Sequence, residues 1–167
     1  MKTTFDFLAD EVYLPGYMAL SNPDYGKYWA TFDFNVKEPP VARGNIVHYF
    51  TPRGLHICVS QVGMALVENM VKEGLVEDIS IPEFRNTVLE GRLKITELYQ
   101  RFRREVGLSK PLPGRIDVAR FRRGRIPVLK LNFDFGNRAV NGNLVSVIAP
   151  KPTHQLNADL MRKSNIK

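Results

Sequence analysis

Between Pro52 and Glu73 the chain has almost no polar face. Leu55, Ile57, Cys58, Val59, Val62, Met64, Ala65, Leu66 and Val67 spread around the circumference of a helix instead of forming one stripe. A helix of that kind demands burial on nearly every side. Its ends are marked. Thr51-Pro52 offers a hydroxyl N-cap followed by a proline where no N–H is needed, and Gly74 is a suitable stop. The last turns, with Glu68, Lys72 and Glu73, read as amphipathic and emerging into water. Ser80 and Glu83 then form an S-x-x-E capping box before a short helix carrying Phe84, Val88 and Leu89.

The remaining pattern is mostly β. Tyr28 to Val36 alternates around aromatics, Pro39-Pro40 breaks the chain, and Asn45 to Phe50 is a second short β-prone run. From Gly114 onward, Ile116, Val118 and Phe121 lead to an expected turn at Arg123-Gly124. Val128, Leu131 and Phe133 follow, and Asn141-Gly142 reads as a turn before Leu144 to Ala149. Leu93 to Val106 is ambiguous: Ile95, Leu98, Tyr99, Phe102 and Val106 fit a helical stripe slightly better than a strand. One buried helix followed by a long antiparallel meander is an α+β pattern.

Composition narrows the class. The 167 residues, 44% hydrophobic and 25% charged, suit one globular domain over 1–150 with a tail at 151–167. No run approaches the ~20 apolar residues of a membrane span. Asp6, Asp10 and Glu11 argue against a secretory signal, so a cytoplasmic protein is expected. The single Cys58 excludes an internal disulfide, and His48, His56 and His154 show no metal-ligand spacing, so no metal and no cofactor are expected. Charge is concentrated. Residues 92–125 hold eleven Lys/Arg against Glu97, Glu105 and Asp117, a local +8 within a chain of net charge +7. Such a segment suits nucleic acid, an anionic surface, or an acidic or phosphorylated partner; equally, it suits a solvated sheet face. No zinc-finger, RNP or helix-turn-helix signature supports nucleic acid.

The stretches Tyr49-Phe50-Thr51, His56 to Gln61, Ser80 to Leu89, Arg101 to Arg104 and Ala139 to Asn143 together resemble a hotdog-fold protein. More narrowly, they resemble the FcoT-like family of mycobacterial long-chain acyl-CoA thioesterases, over roughly residues 11–149. The resemblance implies an antiparallel sheet wrapped around one long buried helix, and it makes 93–106 a strand against the periodicity. It also implies a homodimer or higher oligomer, and an acyl thioester substrate carried by coenzyme A or acyl carrier protein. Thioester hydrolysis is the simplest activity. Lyase or dehydratase-type chemistry on a 2-enoyl-carrier thioester, such as glycine addition, is the alternative, and a non-catalytic acyl- or nucleic-acid-binding module is a third reading. Position by position, the family's first tyrosine corresponds to Tyr13 and its second falls near Arg43. Its asparagine before the helix falls at Thr51, and its histidine falls at Tyr49, or at His48 with one residue of slip. The usual helix carboxylate is missing, since no Asp or Glu occurs from Thr51 to Val67.

The residues themselves suggest roles. A helix N-terminus presents free N–H groups, and Gly54 permits close approach, so the N–H groups of Gly54 and Leu55 are candidate oxyanion donors. His56 is a candidate general base, and a packed core histidine is the other reading. Gln61 could hold a thioester or pantetheine amide, or simply bond backbone. Arg122 and Arg123 are candidate contacts to an acidic carrier.

Overall fold

The computed structural model describes residues 4–12, 20–35, 51–76, 79–107, 110–122 and 127–149. Tyr13, Arg43, His48, Tyr49 and Arg123 lie outside these residues, as do the expected strand at 45–50, the turn at 123–124 and the tail at 151–167.

A short helix, α1 (Thr4–Phe7), continues into one π-helical segment (Leu8–Val12). Strands β1 (Leu20–Tyr25) and β2 (Trp29–Phe34) follow, then helix α2 (Pro52–Lys72), helix α3 (Ile81–Leu89), and β3 (Leu93–Phe102), β4 (Leu112–Arg122), β5 (Val128–Phe135) and β6 (Val140–Ile148). The six strands form one antiparallel sheet in the order β1-β2-β4-β5-β6-β3. Alternation decides which side of the sheet each residue faces. Ala30, Phe32 and Phe34, then Leu112 and Ile116, then Leu129, Leu131, Phe133 and Phe135 all point inward and are buried. Against them lies α2, with Leu55, Cys58, Val59, Val62 and Leu66 fully buried. On its far side α2 meets α1 and α3.

The helix signals hold. Thr51 Oγ1 accepts from Gly54 N–H at 3.2 Å. Gly74, at φ +67°, ends α2 in the left-handed conformation that a residue with a Cβ adopts at a cost. At α3 both halves of the capping box form, Ser80 N–H donating to Glu83 Oε2 at 2.9 Å and Glu83 N–H to Ser80 Oγ at 3.4 Å.

Two expectations fail, and at 93–106 the helical periodicity gives way to the strand that the family resemblance implied. Leu93–Phe102 is a strand, and a β-bulge between Ile95 and Glu97 explains its helical appearance. The extra residue converts an inward spacing of two into three, from Ile95 to Leu98, which mimics a helical stripe. The Asn141-Gly142 turn is absent. The chain reverses at 136–139, where Gly136, Asn137 and Arg138 all take positive φ and Asp134 Oδ1 accepts from Arg138 N–H at 2.8 Å. Gly142 sits inside β6 because a Cβ there would collide with the Tyr99 carbonyl oxygen and the Phe133 ring. Glu68, finally, does not emerge into water. It is fully buried.

Glu68 is held by chemistry the sequence did not reveal. Its Oε1 accepts from Arg85 Nη2 of α3 at 2.7 Å, and Lys72 Nζ lies 3.6 Å away. The Arg85 guanidinium also stacks on the Phe7 ring, 4.8 Å from its centre. An unpaired buried carboxylate costs about 3–5 kcal/mol, so this ion pair fixes where α3 and α1 dock on α2. Burial, and secondarily the negative charge of Glu68, push the Tyr25 phenol up to about 12 from the ordinary 10.0. Both effects favour the neutral phenol. Its contribution to stability is therefore complete below about pH 10 and is lost as the pH rises through about 12. A spectrophotometric titration should show one phenol ionising near pH 12 that disappears in Tyr25→Phe. The alkaline loss of stability should be shallower in that variant.

Candidate functional site

On α2 the residues His56, Ser60, Gly63 and Val67 are spaced at i, i+4, i+7 and i+11, which places them on one stripe. This stripe is the part of α2 that neither the sheet centre nor α1 and α3 seals. An apolar groove of about 80 Å³ runs beneath it. Val59, Ser60, Gly63, Met64 and Val67 form its helix wall; Leu93 and Ile95 of β3, Leu129 and Leu131 of β5, and Leu144 and Ser146 of β6 form its sheet wall.

The groove is nearly without polar function. Its two hydroxyls have spent their protons on backbone: Ser60 Oγ donates to the His56 carbonyl at 2.8 Å, and Ser146 Oγ donates to the Lys94 carbonyl at 3.0 Å. A hydroxyl so engaged adds little affinity for a polar ligand, and apolar cavities of this kind stay dry. Gly63 leaves room, since a Cβ there would meet only Leu131 Cδ1 at an ordinary 3.7 Å. His56 continues the stripe one turn beyond Ser60 and is exposed. Farther along the inner face, in the row shared by Gln100, Gly142 and Phe133, Gln100 Oε1 is a buried oxygen with no hydrogen-bond partner among the described residues.

The sequence-derived candidates divide. His56 lies on the stripe. Thr51 is the N-cap, and its hydroxyl and carbonyl oxygens take the N–H groups of Gly54 (3.2 Å) and Leu55 (2.9 Å). Pro52 has no N–H. The two expected oxyanion donors are thus engaged within the first turn, and Gly54 and Leu55 are themselves buried. Gln61 is fully buried and lies about 100° around the helix from Ser60, so it does not line the groove. Sequence reasoning missed Ser60, Gly63 and Val67; their common spacing was visible, but an all-apolar helix gave no way to say which stripe stays open.

The basic segment is also resolved into parts. Arg92 turns inward to Glu90, Thr87 and the Ala149 carbonyl. Arg115 is bound to Asp117 at 2.7 Å and stacks over Trp29. Arg120, Arg122 and Lys130 stand exposed on the outer sheet face, Arg120 and Lys130 paired across β4 and β5. Among the described residues no cluster of three or more His, Cys, Asp and Glu could hold a metal. Gly54–Lys72 is, by length and composition, apolar enough to cross a membrane, contrary to the expectation from the sequence, but here it is the core helix and is mostly buried.

No protein-family model matches the sequence, and no curated protein does. Solved structures do match. A proposed thioesterase from Shewanella oneidensis aligns with a TM-score of 0.59 at 10% identity, covering 88% of this chain and 95% of that one. An HP0420 homologue from Helicobacter felis aligns at 0.53 and 9% identity, covering 91% and 93%. AziG of S. sahachiroi aligns at 0.50 and 10% identity, covering 78% and 90%. At such identities the likeness is one of fold. The chain has the hotdog fold, an antiparallel sheet wrapped on a central helix.

Proposed function

We propose that this protein acts on fatty acyl thioesters, with the acyl chain held in the groove between α2 and the sheet. The observation that carries this reading is the groove itself: narrow, apolar, its hydroxyls already satisfied, and continued at one end by an exposed imidazole. The thioesterase name of the Shewanella neighbour and the FcoT-like resemblance agree with it. In this reading His56 orients or deprotonates the attacking nucleophile at the thioester carbonyl, and Gln100 Oε1 accepts a hydrogen bond from the pantetheine arm. Tyr13 remains a candidate donor to the carbonyl oxygen, His48 a candidate general base beside His56, and Tyr49 a candidate at the position of the family's histidine.

The walls of the groove carry no carboxylate. Water must then be activated by neutral groups or by His56, and this favours keeping a second reading in which an amine such as glycine adds to a 2-enoyl thioester. Mass spectrometry of products from saturated and 2-enoyl thioesters, with and without glycine, separates the two. Free acid supports hydrolysis and an amine adduct supports the lyase; no turnover of any thioester overturns both. His56→Ala should lower turnover about 100-fold while the protein stays folded.

A second copy of the chain is the proposed partner at β3. Among the described strands this ten-residue strand ends the sheet, Tyr99 on it is 61% exposed, and the groove opens beside it. An exposed edge of this length invites pairing. Sedimentation should give twice the 19.1 kDa chain mass; a monomer at micromolar concentration contradicts the pairing.

The exposed Arg120, Arg122 and Lys130 flank the Phe121 end, away from His56, so they favour an acidic acyl carrier protein over coenzyme A by steering its approach across a broad positive face and not by touching the thioester arm. Charge reversal of Arg120 and Arg122 to Glu should raise KM for acyl-carrier substrates and leave short pantetheine thioesters unaffected. Equal effects on both would overturn the carrier reading.

A further inference from the structure

The groove does not end at Val67. A second, smaller cavity of about 20 Å³ continues along α2 between Met70, Val76, Phe121 and Ile148. The two cavities share four wall residues, Val67, Leu93, Leu129 and Ser146, so they adjoin at these residues. Val67 and Leu129 are almost completely buried there, at 5% and 7% exposure, facing each other from helix and sheet. The Ser146 hydroxyl at the junction is tied to the Lys94 carbonyl. Together the two cavities make one elongated space beside α2, a tube joined at these shared walls.

We infer that Val67 and Leu129 form a gate that sets the length of the bound acyl chain, with the compartment ending at Phe121 accepting longer chains only when the gate yields. The inference rests on the acyl-thioester reading and adds the length of the substrate to it. Three features favour a linear hydrocarbon as the occupant. The tube follows the helix axis, its walls are apolar, and its only hydroxyls are spent on backbone carbonyls. Scale follows from helix geometry. Ser60 to Val67 spans about 10 Å and Ser60 to Met70 about 15 Å at 1.5 Å per residue. At about 1.3 Å per methylene these spans hold roughly eight and roughly twelve carbons, respectively. The far compartment has room for about one water by volume, so a long chain enters it only by displacing side chains.

The test uses inert S-octyl and S-dodecyl pantetheine thioethers, with affinities measured by calorimetry. Wild-type protein should bind the octyl compound at least ~10-fold more tightly. Val67→Ala widens the gate. Phe121→Ala enlarges the far compartment from a half-buried position and keeps the test valid where a gate variant folds poorly. Phe121→Ala should improve dodecyl binding at least ~10-fold while changing octyl binding less than ~3-fold, and Val67→Ala should raise the dodecyl-to-octyl affinity ratio at least ~10-fold. If both thioethers bind and neither variant changes their ratio, the gate is overturned and the acyl reading survives. If wild-type protein binds neither thioether, the acyl reading falls and the gate with it.

Discussion

Everything in this fold answers to the burial of α2. A 21-residue helix that is apolar on most sides cannot be covered by one sheet, which offers a single face. The sheet takes one side through Phe34, Ile116, Leu131 and Phe135, and α1 and α3 take another, clamped by the Glu68–Arg85 ion pair. One stripe, from His56 through Val67, is left incompletely sealed, and the cavity lies there. The site is thus a consequence of packing: it sits where intramolecular burial runs out.

The clamp also accounts for the asymmetry of the helix. Glu68 and Gln61 are polar residues on α2, yet both are fully buried on sides of the helix that do not line the groove. A polar residue in a helix of this kind is easily taken for a catalytic one. At Glu68 the buried polarity instead serves docking between helices, and the groove keeps walls fit for hydrocarbon. Chemistry, where it occurs, is left to the exposed end of the stripe.

Much of the architecture was legible in the residues. Thr51, Gly74, Ser80 and Glu83 act locally, through caps that need only the backbone beside them, so they could be read directly. The features that misled depend on distant neighbours. The bulge at Ile95–Glu97 exists because β3 pairs with β6, and Gly142 is a strand glycine because Tyr99 and Phe133 crowd it from two other strands. For the site, His56 was legible as a candidate because its chemistry is distinctive. Ser60, Gly63 and Val67 were not, because nothing within α2 distinguishes the open stripe from the sealed ones. Gly54 and Leu55 were plausible donors until the Thr51 cap claimed their N–H groups.

The central claim is that a hydrocarbon chain occupies the space between the α2 stripe and the sheet. Methyl-labelled protein, titrated with S-octyl pantetheine and followed by NMR, reports on it residue by residue. The expected shifts fall on Val59, Val67, Leu129, Leu131 and Leu144, which wall the groove, while Leu55 and Val62 on the sealed side of α2 stay in place. Saturable shifts confined instead to Val128, Val145 and Val147, away from the groove, or no shift at all, would contradict the account.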